Sequence, residues 1–372
     1  MAEKNLDFDT VIDRTHTNSL KYDFAVQRGK PKDVLPLWVA DMDFQVSSYI
    51  QEALSGSVAH GIFGYSEAEG SYFEAVAGWM SRHYGWNVEE TWLVKTPGIV
   101  FALAQAVRAF TEPGDAVLLQ QPVYYPFSQV IRDNGRKIVD NTLVQGEDGR
   151  YRIDFTDFEE KIRSCKVKLF FLCNPHNPVG RVWTKEELLR LGDICERYGV
   201  IVVSDEIHAD FVFEGSHQVL AGLEESYRKF VVTCTAPSKT FNLAGLQVSN
   251  IFIPDDALRR KFEQAVGASG YSQLNTMGLV ACEAAYRHGE EWYEAVKAYI
   301  RENLAYAQHF LEEQIPQVKA VEPEGTYLLW VDFRSLGLSR RELEDLIVKK
   351  AGLWLDSGDI FGAAGRGFER IN

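Results

Sequence analysis

The chain has 372 residues, of which 46% are hydrophobic and 25% are charged, a composition typical of a folded protein with two domains or one large α/β domain. Its formal net charge of −14 would repel a phosphate backbone, which argues against a nucleic-acid partner. Residues 1–9 are acidic where a signal peptide needs a basic flank, and the apolar runs are strand-length, so neither secretion by that route nor a membrane span is expected. Five cysteines without a CxxC pair indicate incidental thiols, no metal site and a cytoplasmic location.

Short β-branched or aromatic runs alternate with longer amphipathic stretches through the middle of the chain. This pattern predicts βαβ units around a mostly parallel central sheet flanked by helices. The predicted strands cover residues 116–120, 137–141, 168–173, 200–204, 230–235 and 249–253. Thr184, with Glu187 three residues later, predicts a capping box at the start of a helix that ends at Gly199.

The region after residue 288 has a different organisation. A long amphipathic segment over 289–314, stopped by Pro316, predicts a helix that leaves the large domain. Strands are predicted at 325–333 and 353–355, and a helix capped by Ser339 is predicted over 339–350. We therefore expect a large domain over 49–288 and a smaller α+β domain formed by 1–48 and 289–372.

Two charged residues follow predicted strands of the large domain. The amine of Lys239 would project from the carboxyl end of strand 230–235, which is where open α/β sheets bind ligands. Asp205 follows strand 200–204 in the same way. A lysine at such a position is commonly a solvated loop residue, and an acid there is commonly a helix cap. The functional interpretation is that Asp205 keeps a pyridine nitrogen protonated, which makes the ring a stronger electron sink.

Two further groups could contact the edge of such a ring. Asn177 lies in a loop over 174–180 that two X-Pro steps and a glycine make rigid, and it is a candidate hydrogen-bond partner for a ring hydroxyl. His208, three residues after Asp205, is a second candidate for that edge. Either residue could instead have only a structural role.

A third set of residues could hold a phosphate and cover a ring. Gly98 and Ile99 begin a predicted helix, so their backbone N–H groups and the helix dipole could bind a phosphate, although one glycine before a helix can also be only a turn. Tyr124 or Tyr125, which also follow a strand, could stack on a planar ring, although paired tyrosines commonly fill cores and interfaces.

Three motifs carry a family resemblance. The sequences NPHNPVG at 174–180, SDEIH at 204–208 and SKTFNLAGL at 238–246 resemble, in order and spacing, the aminotransferase-like pyridoxal 5'-phosphate (PLP) enzymes of fold type I. More closely, LWVADMDF at 37–44, DEIH at 205–208 and PSKTFNLAG at 237–245 resemble the MalY/PatB branch, whose members are cystathionine β-lyases and related carbon–sulfur lyases. The resemblance runs from the N terminus to the last residue.

The resemblance implies roles for the residues that bind the cofactor ring. Lys239 would form the Schiff base with PLP, and Asp205 would pair with the pyridine nitrogen. Asn177 would contact the ring hydroxyl, and Tyr124 would stack on the ring. His208 takes the place where many aminotransferases have a tyrosine.

The resemblance also implies contacts to the cofactor phosphate and to the substrate. The phosphate would be held by Gly98, Ile99 and Ser238, and by Tyr65 reaching in from a second subunit, which implies a homodimer with active sites at the interface. Arg370 matches an arginine that binds the substrate carboxylate through two hydrogen bonds, with Ala40 and Tyr124 as further substrate contacts.

Two departures from the family pattern bear on function. Classical aminotransferases have an arginine eight residues after the lysine to hold the phosphate, whereas this chain has Gln247, so other groups must meet part of the phosphate charge. The chain also stops two residues after Arg370, where relatives continue, so we expect the printed sequence to be truncated or partial.

The reaction implied is α,β-elimination of L-cystathionine or related cysteine S-conjugates to pyruvate, ammonia and a thiol such as homocysteine. The same chemistry can instead lead to transamination, and no residue excludes a class I/II aminotransferase. A regulatory binding protein that retains the PLP fold is the third alternative, which the presence of both Lys239 and Asp205 disfavours.

Overall fold

The computed structural model of the chain describes residues 3–4 and 6–372, so Met1, Ala2 and Asn5 of the acidic N-terminal segment lie outside the described residues. The strands are β1 (Leu35–Pro36), β2 (Leu93–Thr96), β3 (Ala116–Leu119), β4 (Lys137–Asp140), β5 (Val144–Gln145), β6 (Tyr151–Arg152), β7 (Leu169–Cys173), β8 (Ile201–Asp205), β9 (Val231–Thr235), β10 (Ser249–Phe252), β11 (Lys319–Ala320), β12 (Leu329–Asp332), β13 (Leu353–Trp354), β14 (Asp356–Ser357) and β15 (Phe368–Ile371). The α-helices are α1 (Ser48–His60), α2 (Gly70–Tyr84), α3 (Ile99–Phe110), α4 (Tyr125–Asp133), α5 (Phe155–Cys165), α6 (Lys185–Tyr198), α7 (Leu220–Leu223), α8 (Pro237–Thr240), α9 (Asp256–Ala268), α10 (Thr276–His288), α11 (Glu290–Gln314) and α12 (Arg340–Glu344).

A seven-stranded sheet, in the order β2-β10-β9-β8-β7-β3-β4, forms the centre of the described structure. Strands β9, β8, β7, β3 and β4 run parallel, whereas β10 is antiparallel to both β9 and β2. The register places Asp205, at the end of β8, opposite Cys173 of β7 and Cys234 of β9. The loops after these three strands therefore start at the same edge of the sheet, which confirms the predicted α/β architecture.

Both faces of this sheet are buried. Alternate side chains of β7 point to opposite faces, so that Phe170 and Leu172 belong to one core cluster while Leu169 and Phe171 belong to the other. Such continuous apolar runs are typical of strands in a parallel sheet that helices cover on both sides. None of the helices in the described residues combines the length and the apolar character needed to cross a membrane.

The start and end of α6 are as predicted. The Thr184 hydroxyl accepts a hydrogen bond from the Glu187 amide at 3.2 Å, and the Glu187 carboxylate accepts one from the Thr184 amide at 2.9 Å. These two bonds satisfy amide donors that have no partner within the helix. Gly199 ends the helix with φ 64°, a conformation that favours glycine.

The C-terminal part of the chain forms a second, antiparallel sheet in the order β11-β12-β15-β14. Residue 35 of β1 pairs with residue 353 of β13, so the N-terminal segment packs against the C-terminal region. Ser339 forms the predicted capping box with Glu342, and a π-helix over Asp345–Lys350 continues α12. The strand predicted over 325–333 is shorter, because Gly325 instead forms an isolated bridge with Val212. The division into two domains stays a prediction.

Candidate active site

A cavity opens at the carboxyl edge of the central sheet, where the loops after β7 and β8 meet helices α3 and α8. The residues of the predicted site that line it are Ala40, Gly98, Ile99, Tyr124, Asn177, Asp205, His208, Ser238, Lys239 and Arg370. Tyr65 and Gln247 do not line this cavity and instead line a separate surface cavity. The Tyr65 side chain is 97% exposed.

Lys239 lies on the short helix α8, which begins two residues after β9 ends. Its amine is enclosed and donates a hydrogen bond to the carbonyl oxygen of Ala40 at 2.6 Å. Burial, followed by the positive charge of Arg370, lowers the pKa of Lys239 to about 8. This amine therefore loses its proton more readily than an exposed lysine, as a nucleophile or general base requires.

Asp205 is the last residue of β8 and is 4% exposed. One carboxylate oxygen accepts a hydrogen bond from the Ile207 amide at 3.1 Å, which fixes the orientation of the carboxyl group. Burial raises the pKa of Asp205 to about 7, against the opposing effects of the Ile207 bond and of Lys239. Within the described part of the chain no cationic side chain forms an ion pair with it, so a cationic group of a ligand would stabilise its ionised form.

Arg370 reaches the cavity from β15 and is 3% exposed. Its guanidinium donates to Asn177 Oδ1 at 3.0 Å and to the Trp38 carbonyl oxygen at 2.8 Å, and it forms an ion pair with Asp356. Its Nε is buried and has no hydrogen-bond partner among the described residues. The guanidinium is thus held rigidly, with the Nε–H and the second N–H of Nη1 left for a ligand.

His208 and Tyr124 are both uncharged in this environment. Burial, with Lys239 and Arg370 adding to it, keeps the pKa of His208 well below its usual value, and its Nδ1 has no partner among the described residues. Burial raises the pKa of the Tyr124 hydroxyl above its usual value, so this group stays protonated. The Tyr124 amide donates to the Asn177 carbonyl oxygen at 3.0 Å, which ties the start of α4 to the loop after β7.

One end of the cavity is formed by the first turn of α3. Gly98 precedes this helix with φ 156°, and no described side chain caps the free amide groups of the first turn. Amide groups at the start of a helix bind anions because they are unpaired donors at the positive end of the helix dipole. Ser238 of α8 lines the same cavity and adds a hydroxyl group.

These groups fit PLP, the cofactor implied by the sequence. The free amides of α3 and the Ser238 hydroxyl suit the phosphate, and the buried Asp205 suits a protonated pyridine nitrogen. The enclosed amine of Lys239 suits a covalent link to the aldehyde. Asn177 accepts the hydrogen bond from Arg370 through Oδ1, which leaves its Nδ2 group as a donor for a ring oxygen, and the unpaired Nδ1 of His208 is a second candidate.

Residues that the sequence did not single out also shape the site. Asn242 accepts a hydrogen bond from the Met42 amide at 3.0 Å and donates one to the Met42 carbonyl oxygen at 2.9 Å. These two hydrogen bonds fix the segment that contains Ala40, whose carbonyl oxygen accepts the hydrogen bond from Lys239. Both residues lie within the motifs at 37–44 and 238–246, so the signal was present in the sequence. No sequence pattern indicates Asp356, because only the pairing of β14 with β15 brings it opposite Arg370.

The comparisons with known proteins agree with this geometry. The family described as aminotransferase class I and II matches residues 32–372. Cystathionine β-lyase PatB of Bacillus subtilis is 45% identical over 99% of this chain and 95% of its own length, and protein MalY of Escherichia coli is 32% identical over 98% and 94%. The crystal structure of cystalysin from Treponema denticola, which contains PLP, superposes with a TM-score of 0.95 at 38% identity, covering 98% of this chain and 93% of that one.

Proposed function

Because the chain belongs to the class I and II aminotransferase family, we propose that it is a PLP-dependent carbon–sulfur β-lyase. Its substrates are L-cystathionine or related cysteine S-conjugates, and its products are pyruvate, ammonia and a thiol such as homocysteine. The observation that carries the proposal is that Lys239, Asp205 and Arg370 line one cavity in a chain 45% identical to a cystathionine β-lyase.

The proposed reaction assigns a different task to each of these three residues. Arg370 binds the α-carboxylate through its guanidinium, which Asn177 and Asp356 hold in place. Lys239 accepts the Cα proton as a general base, for which a pKa of about 8 is well matched to neutral pH. Asp205 would hold the ring nitrogen of the cofactor and stabilise its positive charge. When bound, PLP supplies the electron sink that makes the Cα proton acidic.

Elimination is favoured by the leaving group. After Lys239 removes the proton, the electron pair at Cα forms a bond to Cβ, and the Cβ–S bond breaks with its electrons going to sulfur. A thiolate leaves readily because the pKa of a thiol is about 8.5. Addition of one water molecule to the remaining three-carbon unit releases ammonia and pyruvate. Tyr124, with its protonated hydroxyl, covers the ring in this proposal.

We also propose that the chain acts as a homodimer with active sites at the subunit interface. Tyr65 lies outside the cavity of its own chain, on a segment where Ile62 is 71% and Phe63 is 60% exposed. Association would bury this apolar segment and bring Tyr65 towards the phosphate region of the second subunit. Gly98, Ile99 and Ser238 are the phosphate donors within the chain.

The domain division and the location are further parts of the proposal. A large domain over 49–288 is supported by the central sheet, whose strands lie between residues 93 and 252. A small domain of 1–48 and 289–372 is supported by the pairing of β1 with β13. A cytoplasmic location is supported by the five cysteines, all of which are free.

The test is an assay of the purified PLP-loaded protein with L-cystathionine, in which pyruvate and free thiol are measured together. A parallel sample contains a 2-oxo acid, and the Lys239→Ala variant is the control. Equal amounts of pyruvate and thiol without the oxo acid, both lost in the variant, support the lyase. Amino-group transfer that depends on the oxo acid and releases no thiol would instead identify an aminotransferase.

A further inference from the structure

A second cavity shares a wall with the active-site cavity. Trp38 and Asp356 line both of them. Charged side chains make up much of the rest of the second cavity, and these are Arg28, Lys30, Arg340, Glu344 and Glu369. The charged groups of the second cavity therefore adjoin the active-site cavity at two residues that both contact Arg370.

Trp38 links the two cavities through its backbone and its side chain. Its carbonyl oxygen accepts the 2.8 Å hydrogen bond from Arg370, the proposed clamp for the substrate α-carboxylate. Its indole ring stacks on Trp354 with centroids 4.3 Å apart, and the Arg28 guanidinium lies 5.2 Å from the Trp38 ring centroid. Trp38 thus contacts both guanidinium groups, one through its carbonyl oxygen and one through its ring.

Arg28 differs from the other cations of the second cavity in having no carboxylate partner among residues 3–4 and 6–372. Lys30 is paired with Glu344 at 2.7 Å, and Arg340 lies 3.6 Å from Asp359. The Arg28 side chain is exposed and contacts the ring of Trp38. It ends a short 3₁₀ helix and is followed by Gly29 with φ 73°, a turn that fixes its backbone.

The acids around Arg28 do not cancel its charge. Asp356 is paired with Arg370, and Glu344 is paired with Lys30. Burial, with Asp356 adding to it, raises the pKa of Glu369 to about 8, so this group is protonated at neutral pH. Arg28 is therefore the uncompensated charge beside the shared wall.

The charge of Arg28 also acts at the rim of the active-site cavity. Burial and then Asp356 raise the pKa of Tyr125, which lines that cavity, while Arg370 and Arg28 oppose the rise. An anionic group bound near this rim would feel the same attraction. A guanidinium stacked on an aromatic ring is also well placed to bind a carboxylate through two hydrogen bonds.

We propose, on the basis of the β-lyase function above, that Arg28 binds the distal carboxylate of the leaving group and so selects cysteine S-conjugates that carry an anion beyond the sulfur. L-Cystathionine belongs to this class, because its homocysteine half has its own carboxylate. Arg28 is then a specificity-determining residue, and Trp38 is the residue that positions it.

The test compares two substrates of similar size on the PLP-loaded enzyme. S-(2-carboxyethyl)-L-cysteine carries the distal carboxylate, and S-propyl-L-cysteine is its uncharged counterpart, with pyruvate as the product measured for both. The wild type should prefer the carboxylate substrate, and Arg28→Gln should lower the ratio of the two kcat/KM values about tenfold, the size of one charged hydrogen bond. The loss should appear mainly in KM, and Arg28→Lys should restore part of it.

Arg340→Gln is the matched control, because it removes one positive charge from the same cavity without touching Trp38. Both substrates are measured on one preparation, so partial unfolding of a variant cancels from the ratio. An unchanged ratio in Arg28→Gln, or an equal decrease in Arg340→Gln, would overturn the assignment. If the wild type releases pyruvate from neither substrate, the proposed lyase function is wrong. If the enzyme is active but Arg28→Gln leaves the ratio of the two kcat/KM values unchanged, only the assignment of Arg28 is wrong.

Discussion

Replacing Arg370 with lysine should raise the KM for amino-acid substrates while leaving kcat nearly unchanged. The guanidinium serves Asn177 Oδ1, the Trp38 carbonyl oxygen and Asp356 together, with Nε left free. A lysine ammonium is a single point and cannot keep these partners while also presenting paired donors to a carboxylate. Loss of one hydrogen bond to a charged group costs about 1.5–3 kcal/mol, which corresponds to an increase of about 10- to 150-fold in KM.

Lysine is a better choice than alanine for this experiment because Asp356 is buried beside Arg370. Removing the cation altogether would leave a buried carboxylate without a partner, at a cost of about 3–5 kcal/mol in folding stability. Lysine keeps the positive charge near Asp356, so a change in KM can be separated from a loss of folded protein. A thermal melt of the variant checks that separation directly.

The assay is steady-state kinetics with L-cystathionine. Arg366→Lys is the control, because Arg366 is 77% exposed in its side chain and lies 3.6 Å from Asp359, outside the cavity. An Arg370→Lys variant whose KM stays within about twofold of the wild type would refute the carboxylate assignment. A decrease in kcat with constant KM would instead mean that Arg370 acts on the reacting atoms.

Two further predictions follow from the shifted pKa values. The cofactor-free protein should bind PLP covalently at a rate that rises with pH up to about 8. Burial and then Arg370 lower the pKa of Lys239 to about 8, and only the neutral amine is a nucleophile. The rate is measured as the gain of visible absorbance, and a rate that does not depend on pH would contradict this prediction. Glu369→Gln should raise Tm more at about pH 9 than at about pH 5. The pKa of Glu369 is about 8 in the folded protein and 4.5 ordinarily, so the native state loses stability as the pH rises from 4.5 to about 8. Equal shifts in Tm at both pH values would count against this prediction.

Most of the central sheet was predictable because these strands are short apolar runs between turn residues. The predicted strands at 116–120, 168–173 and 230–235 correspond to β3, β7 and β9 within one residue at each end. The capping box at Thr184 was equally visible, since it depends on two residues three positions apart. Strand β2 was missed because its burial alternates and it is only four residues long, a pattern too brief to separate from a loop.

The candidate site was predictable where a motif follows a strand, and less so where distant segments meet. Asp205 ends β8, and Asn177 and Lys239 each lie four residues after the end of a neighbouring strand, so the sheet brings them to one edge. Without the family motif, Arg370 resembles a surface arginine, because its burial depends on a second sheet whose register pairs it with Asp356. Tertiary pairing of this kind leaves no local periodicity in a sequence.

The N-terminal segment shows how such contacts reach the chemistry. Lys21 is 1% exposed and places its amine 2.8 Å from Asp43, and Arg14 donates two hydrogen bonds of 2.9 Å to Asp41. These buried and half-buried ion pairs hold the segment around residues 41–43 from the N-terminal side, while Asn242 holds it from the side of α8. The Ala40 carbonyl oxygen that accepts the hydrogen bond from Lys239 is adjacent to this anchored segment. Ion pairs between residues more than twenty positions apart thus position the backbone acceptor of the proposed catalytic amine. The sequence does not show this role, because it depends on both partners of each pair.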